Sequence, residues 1–192
     1  MKKIRVAAFL GSPRKQGNTE LLLNKAVEGV KSQGYNVKVY NLCELKIMPC
    51  QDCSGCEETG TCKYHDDMDQ IYSTIRQYNH FILASPVFFA GLSAQTKMMI
   101  DRCQAFWCQK YLLGKPLSQK PVERRGLFIV VGGMKQEDEY QAVGLCAKAF
   151  FRSISVNSHQ SLSLSGVDEK GAILKHPQML DQAYLCGQKL VQ

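Results

Sequence analysis

No apolar run in this sequence approaches the length that would cross a membrane. The first such run stops at Leu10, and no small-residue cleavage site follows it. A cytosolic protein without a membrane partner is therefore expected. Like charge is not massed either. The net charge of +7 comes from 24 basic and 17 acidic residues, with basic doublets at Lys2-Lys3, Arg14-Lys15 and Arg124-Arg125 and no longer basic run. That scatter argues against a nucleic-acid surface and for a mostly solvated excess that steers an anionic ligand or an acidic partner. The sequence shows no internal repeat, no domain boundary and no obvious catalytic triad or acid–base pair. What remains is one domain over residues 1–192, with 45% hydrophobic and 21% charged residues, a balance that favours a packed core over disorder.

Strand-like and helical runs alternate along the chain. Residues 4 to 10, 35 to 42, 80 to 84, 127 to 131 and 160 to 164 read as strands; the third and fourth are nearly uninterrupted apolar runs, as in the buried centre of a parallel sheet. Helical spacing covers 19 to 33, 66 to 77, 93 to 111, 137 to 154 and 176 to 191, and Asp66 or Asp67 suits a helix cap. Strands and helices at this spacing form right-handed parallel units, so an α/β fold is expected, with five parallel strands and helices on both faces.

Between the first strand and first helix stands Gly11-Ser12-Pro13-Arg14-Lys15-Gln16-Gly17-Asn18-Thr19. A turn here presents free backbone N–H groups and the positive end of a helix dipole, an arrangement that attracts an anion. Ser12, Asn18 and Thr19 add short neutral donors, and Arg14 a planar fork matched to phosphate oxygens. The loop also lacks something. Asn18 stands where a nucleotide-hydrolysing loop has its lysine, and the third glycine of a dinucleotide loop is missing. A single terminal phosphate fits what is left.

The segment Ser85-Pro86-Val87-Phe88-Phe89-Ala90-Gly91-Leu92 ends the third strand, and Gly132-Gly133 ends the fourth. Ligands of open parallel sheets gather beyond such carboxyl ends. Pro86, Val87, Phe88 and Phe89 offer rigid apolar surface suited to a flat heteroaromatic ring, and the glycines let backbone approach closely. Two adjacent loop phenylalanines equally suit a core or a contact between subunits.

These loops resemble those of the NADPH-dependent FMN reductase and iron-sulfur flavoprotein families, of the flavodoxin-like group. Their first loop reads Gly-Ser-Pro-Arg, a few residues, Gly or Ser, Asn, then Thr or Ser; their later loop reads Ser-Pro-Val-Tyr, with Lys and Asp-Arg further on, as Lys97 and Asp101-Arg102 stand here. The resemblance implies a flavodoxin-like sheet of order 2-1-3-4-5 and FMN held by Ser12, Arg14, Gly17, Asn18 and Thr19 at the phosphate, with residues 86 to 89 and Gly132-Gly133 framing the ring. It also implies NAD(P)H as co-substrate and pairing of subunits into a homodimer or higher homo-oligomer, with Phe106, Trp107 and Tyr111 as candidate contacts. Phe88 and His80 depart from the tyrosine and aspartate that the family commonly has.

Five of the nine cysteines lie in an aperiodic, insertion-like loop at residues 43–65. Cys50, Cys53, Cys56 and Cys62 follow C-x2-C-x2-C-x5-C, compact like a ferredoxin loop and unlike the two distant knuckles of most zinc sites. The spacing favours iron-sulfur over zinc, and free or redox-active thiols stay open beside both. By resemblance to the iron-sulfur flavoproteins, the group is a 4Fe-4S cluster. Cys43, Cys103, Cys108, Cys146 and Cys186 stand singly, with buried packing as the default. His65 reads as a surface-loop histidine. The implied function is an FMN-dependent oxidoreductase passing electrons from a reduced nicotinamide or a carrier to a small-molecule or protein acceptor. The alternative is a non-enzymatic, zinc-stapled basic module binding nucleic acid or protein.

Overall fold

Five consecutive apolar residues, Val6–Leu10, form strand β1, and all are buried. Successive side chains serve opposite faces of the sheet. Ala7 and Phe9 join one core, while Val6, Ala8 and Leu10 join the other. The computed structural model describes residues 4–117 and 123–192, so the Lys2-Lys3 doublet lies outside the described residues. The remaining strands are β2 (Val37–Asn41), β3 (His80–Phe88), the two-residue β4 (Gly91–Leu92), β5 (Arg125–Val131) and β6 (Ser158–Leu164). The long strands run parallel in the order β2-β1-β3-β5-β6, which is the expected order once short β4 is left out of the count.

Helix α1 (Asn18–Ser32) shares one face with α6 (Pro177–Leu190). The other face carries α2 (Met68–Gln77), α3 (Ala94–Arg102), α4 (Gln104–Trp107) and α5 (Glu137–Ser153). There Phe9 stacks with Tyr40 at 5.8 Å and Phe81 at 6.4 Å and meets Phe150 edge-on at 6.3 Å, geometries that aromatic rings favour. Helices α1 and α6 touch backbone to backbone. A Cβ on Gly29 would run into the Tyr184 carbonyl, and one on Gly187 into the Ala26 carbonyl. Among the described residues, no helix is long and apolar enough to cross a membrane.

Three expectations change. The helix expected over 93 to 111 breaks after Arg102 and ends in a wide π turn, Cys108–Leu112. The cause is a competing donor: the Tyr72 hydroxyl bonds the Arg102 carbonyl at 2.7 Å, and the Phe106 amide turns instead to the Cys103 carbonyl at 2.9 Å. The segment after Ala84 is a strand that turns back as a hairpin onto β4, with Phe89 (φ 49°) and Ala90 (φ 56°) at its tip. Left-handed conformation at both central residues matches the twist of paired strands. Lastly, Arg124 is not part of a solvated charge excess. It is buried over the Phe81 ring at 5.0 Å, donates to the Ile75 carbonyl at 2.7 Å, and burial lowers its pKa to about 10.

His80 opens β3 and is buried, its Nδ1 accepting the Arg125 N–H at 3.1 Å. Burial, and then the Arg125 charge, lower its pKa from 6.5 to about 4. The unfolded chain therefore takes a proton near pH 6.5 and the folded chain only near pH 4, so acid favours unfolding in that window. Stability present at neutral pH is expected to fall by up to about 3 kcal/mol as pH drops through it. His80→Asn, whose amide oxygen can replace Nδ1 as acceptor, should flatten that part of a curve of denaturation midpoint against pH. An unchanged slope would assign the acid sensitivity to other groups.

Candidate functional site

The chain leaves β1 at Gly11, whose N–H bonds the Ala84 carbonyl of β3 at 2.8 Å. It then tightens into a turn. The Gly17 N–H bonds the Arg14 carbonyl at 3.0 Å, Gln16 (φ 55°) donates its N–H to Glu20 Oε2 at 2.6 Å, and Ser12 Oγ accepts the Arg14 N–H at 3.3 Å. Gly17 is required by proximity, since a Cβ there would lie 2.8 Å from the Arg14 carbonyl oxygen. It caps α1 without a side chain. The N–H groups of Asn18, Thr19 and Glu20, in the first turn, have no carbonyl of their own helix to bond.

One cleft brings most of the expected residues together. Ser12, Arg14, Gly17, Asn18 and Thr19 line one side, and Pro86, Val87, Phe88, Gly132 and Gly133 the other. Phe89 does not join them. It stands fully exposed at the tip of the hairpin, while Phe88 is 41% exposed. Two side chains in the loop before α1 are also engaged otherwise than expected. Asn18 gives its amide N–H to the carbonyls of Val167 (3.4 Å) and Glu169 (2.9 Å) and accepts the Ile173 N–H at 3.2 Å, so it ties α1 to a later loop. Arg14 Nη1 donates to the Asp168 carbonyl at 2.8 Å and to its carboxylate at 3.4 Å. Val167 and Asp168 line the cleft as well and were missed by sequence reasoning. The signal was there: Gly166-Val167-Asp168 follows the carboxyl end of β6, where the rule about strand ends applies equally.

The cleft fits FMN. A phosphate finds uncapped amides and the Ser12 and Thr19 hydroxyls, and a flat ring finds the Val87 and Phe88 wall. The glycine pair is tightly housed: a Cβ on Gly132 would lie 2.6 Å from the Tyr140 hydroxyl, and one on Gly133 would lie 2.9 Å from Asp168 Cβ.

A second cavity lies in the loop before α2. Cys50, Cys53, Cys56 and Cys62 all line it, with Arg102 and Gln104 from the helices beneath. Among the described residues no three His, Cys, Asp or Glu side chains stand together as they would around a metal ion. The donor chemistry nevertheless suits an iron-sulfur group, since four thiols at compact spacing line one cavity. The loop is anchored by Arg102, which is buried and donates to Asp66 Oδ2 (2.6 Å), the Met48 carbonyl (2.9 Å) and the Tyr64 carbonyl (3.1 Å). Although burial opposes it, the Arg102 bond, with N–H donors of Met48 and Met68, holds the Asp66 carboxyl below its ordinary pKa. Asp66 accepts the Met68 N–H, while Asp67 occupies the α2 cap position but turns its carboxylate to the Lys46 N–H at 2.7 Å rather than to the helix. His65 is exposed and pairs with Asp69 at 3.0 Å. Cys108, expected merely to pack, lies with its sulfur 3.6 Å from that of Cys56. Burial, then this neighbour, push the Cys56 thiol up to about 12.

The profile described as NADPH-dependent FMN reductase matches residues 4–162. An iron-sulfur flavoprotein of Methanocaldococcus jannaschii is 38% identical over 99 residues, 52% of this chain and 51% of that protein. An iron-sulfur flavoprotein of Archaeoglobus fulgidus is 33% identical over 130 residues, 67% of this chain and 62% of that protein. The chain thus spans about half to three fifths of the length of the curated relatives it matches. A solved NAD(P)H:quinone oxidoreductase from Methanothermobacter marburgensis superposes with a TM-score of 0.77 at 15% identity, covering 99% of this chain and 97% of that one, a likeness of fold.

The Asn18 bonds generate a test. Asn18→Ala removes three hydrogen bonds, two of them buried, which should lower unfolding stability by about 2 kcal/mol and speed hydrogen exchange at the Ile173 amide. Unaltered exchange there would refute the tie between α1 and the later loop.

Proposed function

Because this chain belongs to the NADPH-dependent FMN reductase family, we propose that its cleft binds FMN and that it works as an FMN-dependent oxidoreductase drawing on NAD(P)H. One observation carries the reading: an uncapped helix N-terminus and an apolar, glycine-edged wall meet in the same cleft, at the carboxyl ends of parallel strands. The α1 amides, Ser12 and Thr19 hold the phosphate, and Arg14 adds charge at the rim. Pro86, Val87 and Phe88 exclude water from one side of the ring, and Gly132-Gly133 admit its edge. When bound, flavin supplies the hydride acceptor, so the protein's part is position and electrostatics, and no protein acid or base is required. In the second cavity Cys50, Cys53, Cys56 and Cys62 would hold a 4Fe-4S cluster, which supplies one-electron transfer to an acceptor. A reducing cytosol suits the nine free cysteines.

We also propose a homodimer. Of the three candidate contact residues, Phe106 packs inside the subunit, whereas Trp107 and Tyr111 are exposed and lie beside Leu112, which is 52% exposed. Light scattering is expected to give twice the chain mass, with Trp107→Glu reduced to the single chain; a wild-type monomer would discard the assignment.

For the cleft, Arg14→Ala should weaken FMN binding about tenfold, the scale of a hydrogen bond to a charged group. Riboflavin, which lacks the phosphate, should bind both forms alike. Equal losses for the two ligands would give Arg14 a purely structural task through Asp168. An anaerobically purified protein should show two flavin bands, with a broad sulfide-to-iron absorption beneath them if the second cavity is loaded. A colourless protein that fails to bind added FMN would end the flavin reading.

A further inference from the structure

Cys108 lies outside the C-x2-C-x2-C-x5-C run, 46 residues beyond Cys62 by their numbers, 108 − 62. Its side chain is fully buried, and it opens the π turn that follows α4. Wide turns of this kind displace a side chain from the register of a regular helix and recur at functional sites. Here the displacement has two partners. The Cys108 sulfur is 3.6 Å from Cys56 Sγ, and Gln104 aims its amide N–H at it from 3.7 Å. A thiol that merely fills space has apolar neighbours; this one has a second sulfur and a directed N–H, and N–H donors to sulfur are among the levers that tune iron-sulfur centres. Iron bound to a thiolate sits about 2.3 Å from the sulfur, taking the zinc–thiolate length as a guide. Two such bonds reach about 4.6 Å, so sulfurs 3.6 Å apart stand within reach of one iron.

We propose that Cys108 is a reserve ligand of the cysteine pocket, able to take the coordination position of Cys56. The inference rests on the cluster reading above. In the exchange, the iron bond to Cys56 sulfur breaks and one to Cys108 sulfur forms, while the Cys108 thiol proton passes to the departing Cys56 thiolate. No electron changes hands and the charge at the centre is kept. Among the loop thiols, Cys56 thus differs from Cys53: its loss is covered from the helical side.

The test is anaerobic reconstitution with ferrous iron and sulfide, reading iron and sulfide per chain and the spin-resonance signal after reduction, with FMN content as the control for folding. Wild type, Cys108→Ala and Cys56→Ala are expected to hold similar iron, the last with a changed signal. Cys53→Ala and the double variant Cys56→Ala/Cys108→Ala are expected to hold about tenfold less. If Cys56→Ala is as empty as the double variant while wild type is loaded, the reserve role is overturned. Wild type that takes up no iron would end the cluster reading itself, and this inference with it, leaving the flavin cleft untouched.

Discussion

Everything about the cleft depends on how closely two loops approach at Gly11. The Ser93 hydroxyl donates to the Gly11 carbonyl at 2.6 Å and shares a hydrogen bond with Thr96 Oγ1 at 2.8 Å, and Ser85 Oγ accepts the Ser93 N–H at 3.1 Å. All three side chains are buried. A Cβ on Gly11 would run into Thr96 Oγ1. Satisfied polar networks in a dry interior fix geometry more tightly than apolar packing does. The turn before α1 and the carboxyl end of β3, the two walls of the cleft, are in this way held as one piece.

Helix α3 extends that rigidity to the cysteine pocket. It begins at Ser93, whose side chain caps it, and ends nine residues later at Arg102, which anchors the cysteine loop through Asp66, Met48 and Tyr64. Nine helical residues span about 13 Å. A buried ion pair contributes little to net stability but is costly to break on one side, so Arg102 serves to fix where the loop lies. Backbone conformations rare for ordinary side chains, at Asp52 (φ 47°) and Ser54 (φ 55°), bend the loop between its first three thiols.

The fold and most of the cleft were legible because both are written in local pattern. Uninterrupted apolar strands, helical stripes and a turn rich in glycine and short polar residues are properties of neighbours in sequence. What escaped depended on distant partners. The break after Arg102 needed the Tyr72 hydroxyl, thirty positions away. Asn18 looked like a phosphate donor because its partners lie some 150 residues further on. Cys108 looked solitary for the same reason, and Phe89 looked like a ring contact because a hairpin tip cannot be told from a cleft wall without knowing where the chain turns back.

The glycine contact between α1 and α6 has a temporal side. A ribosome makes the turn at the head of α1 early and Gly187 late, yet the helix bearing that turn meets α6 backbone to backbone only when Gly187 arrives. Helix α1 is therefore settled by a partner made long after it, from a distant part of the chain.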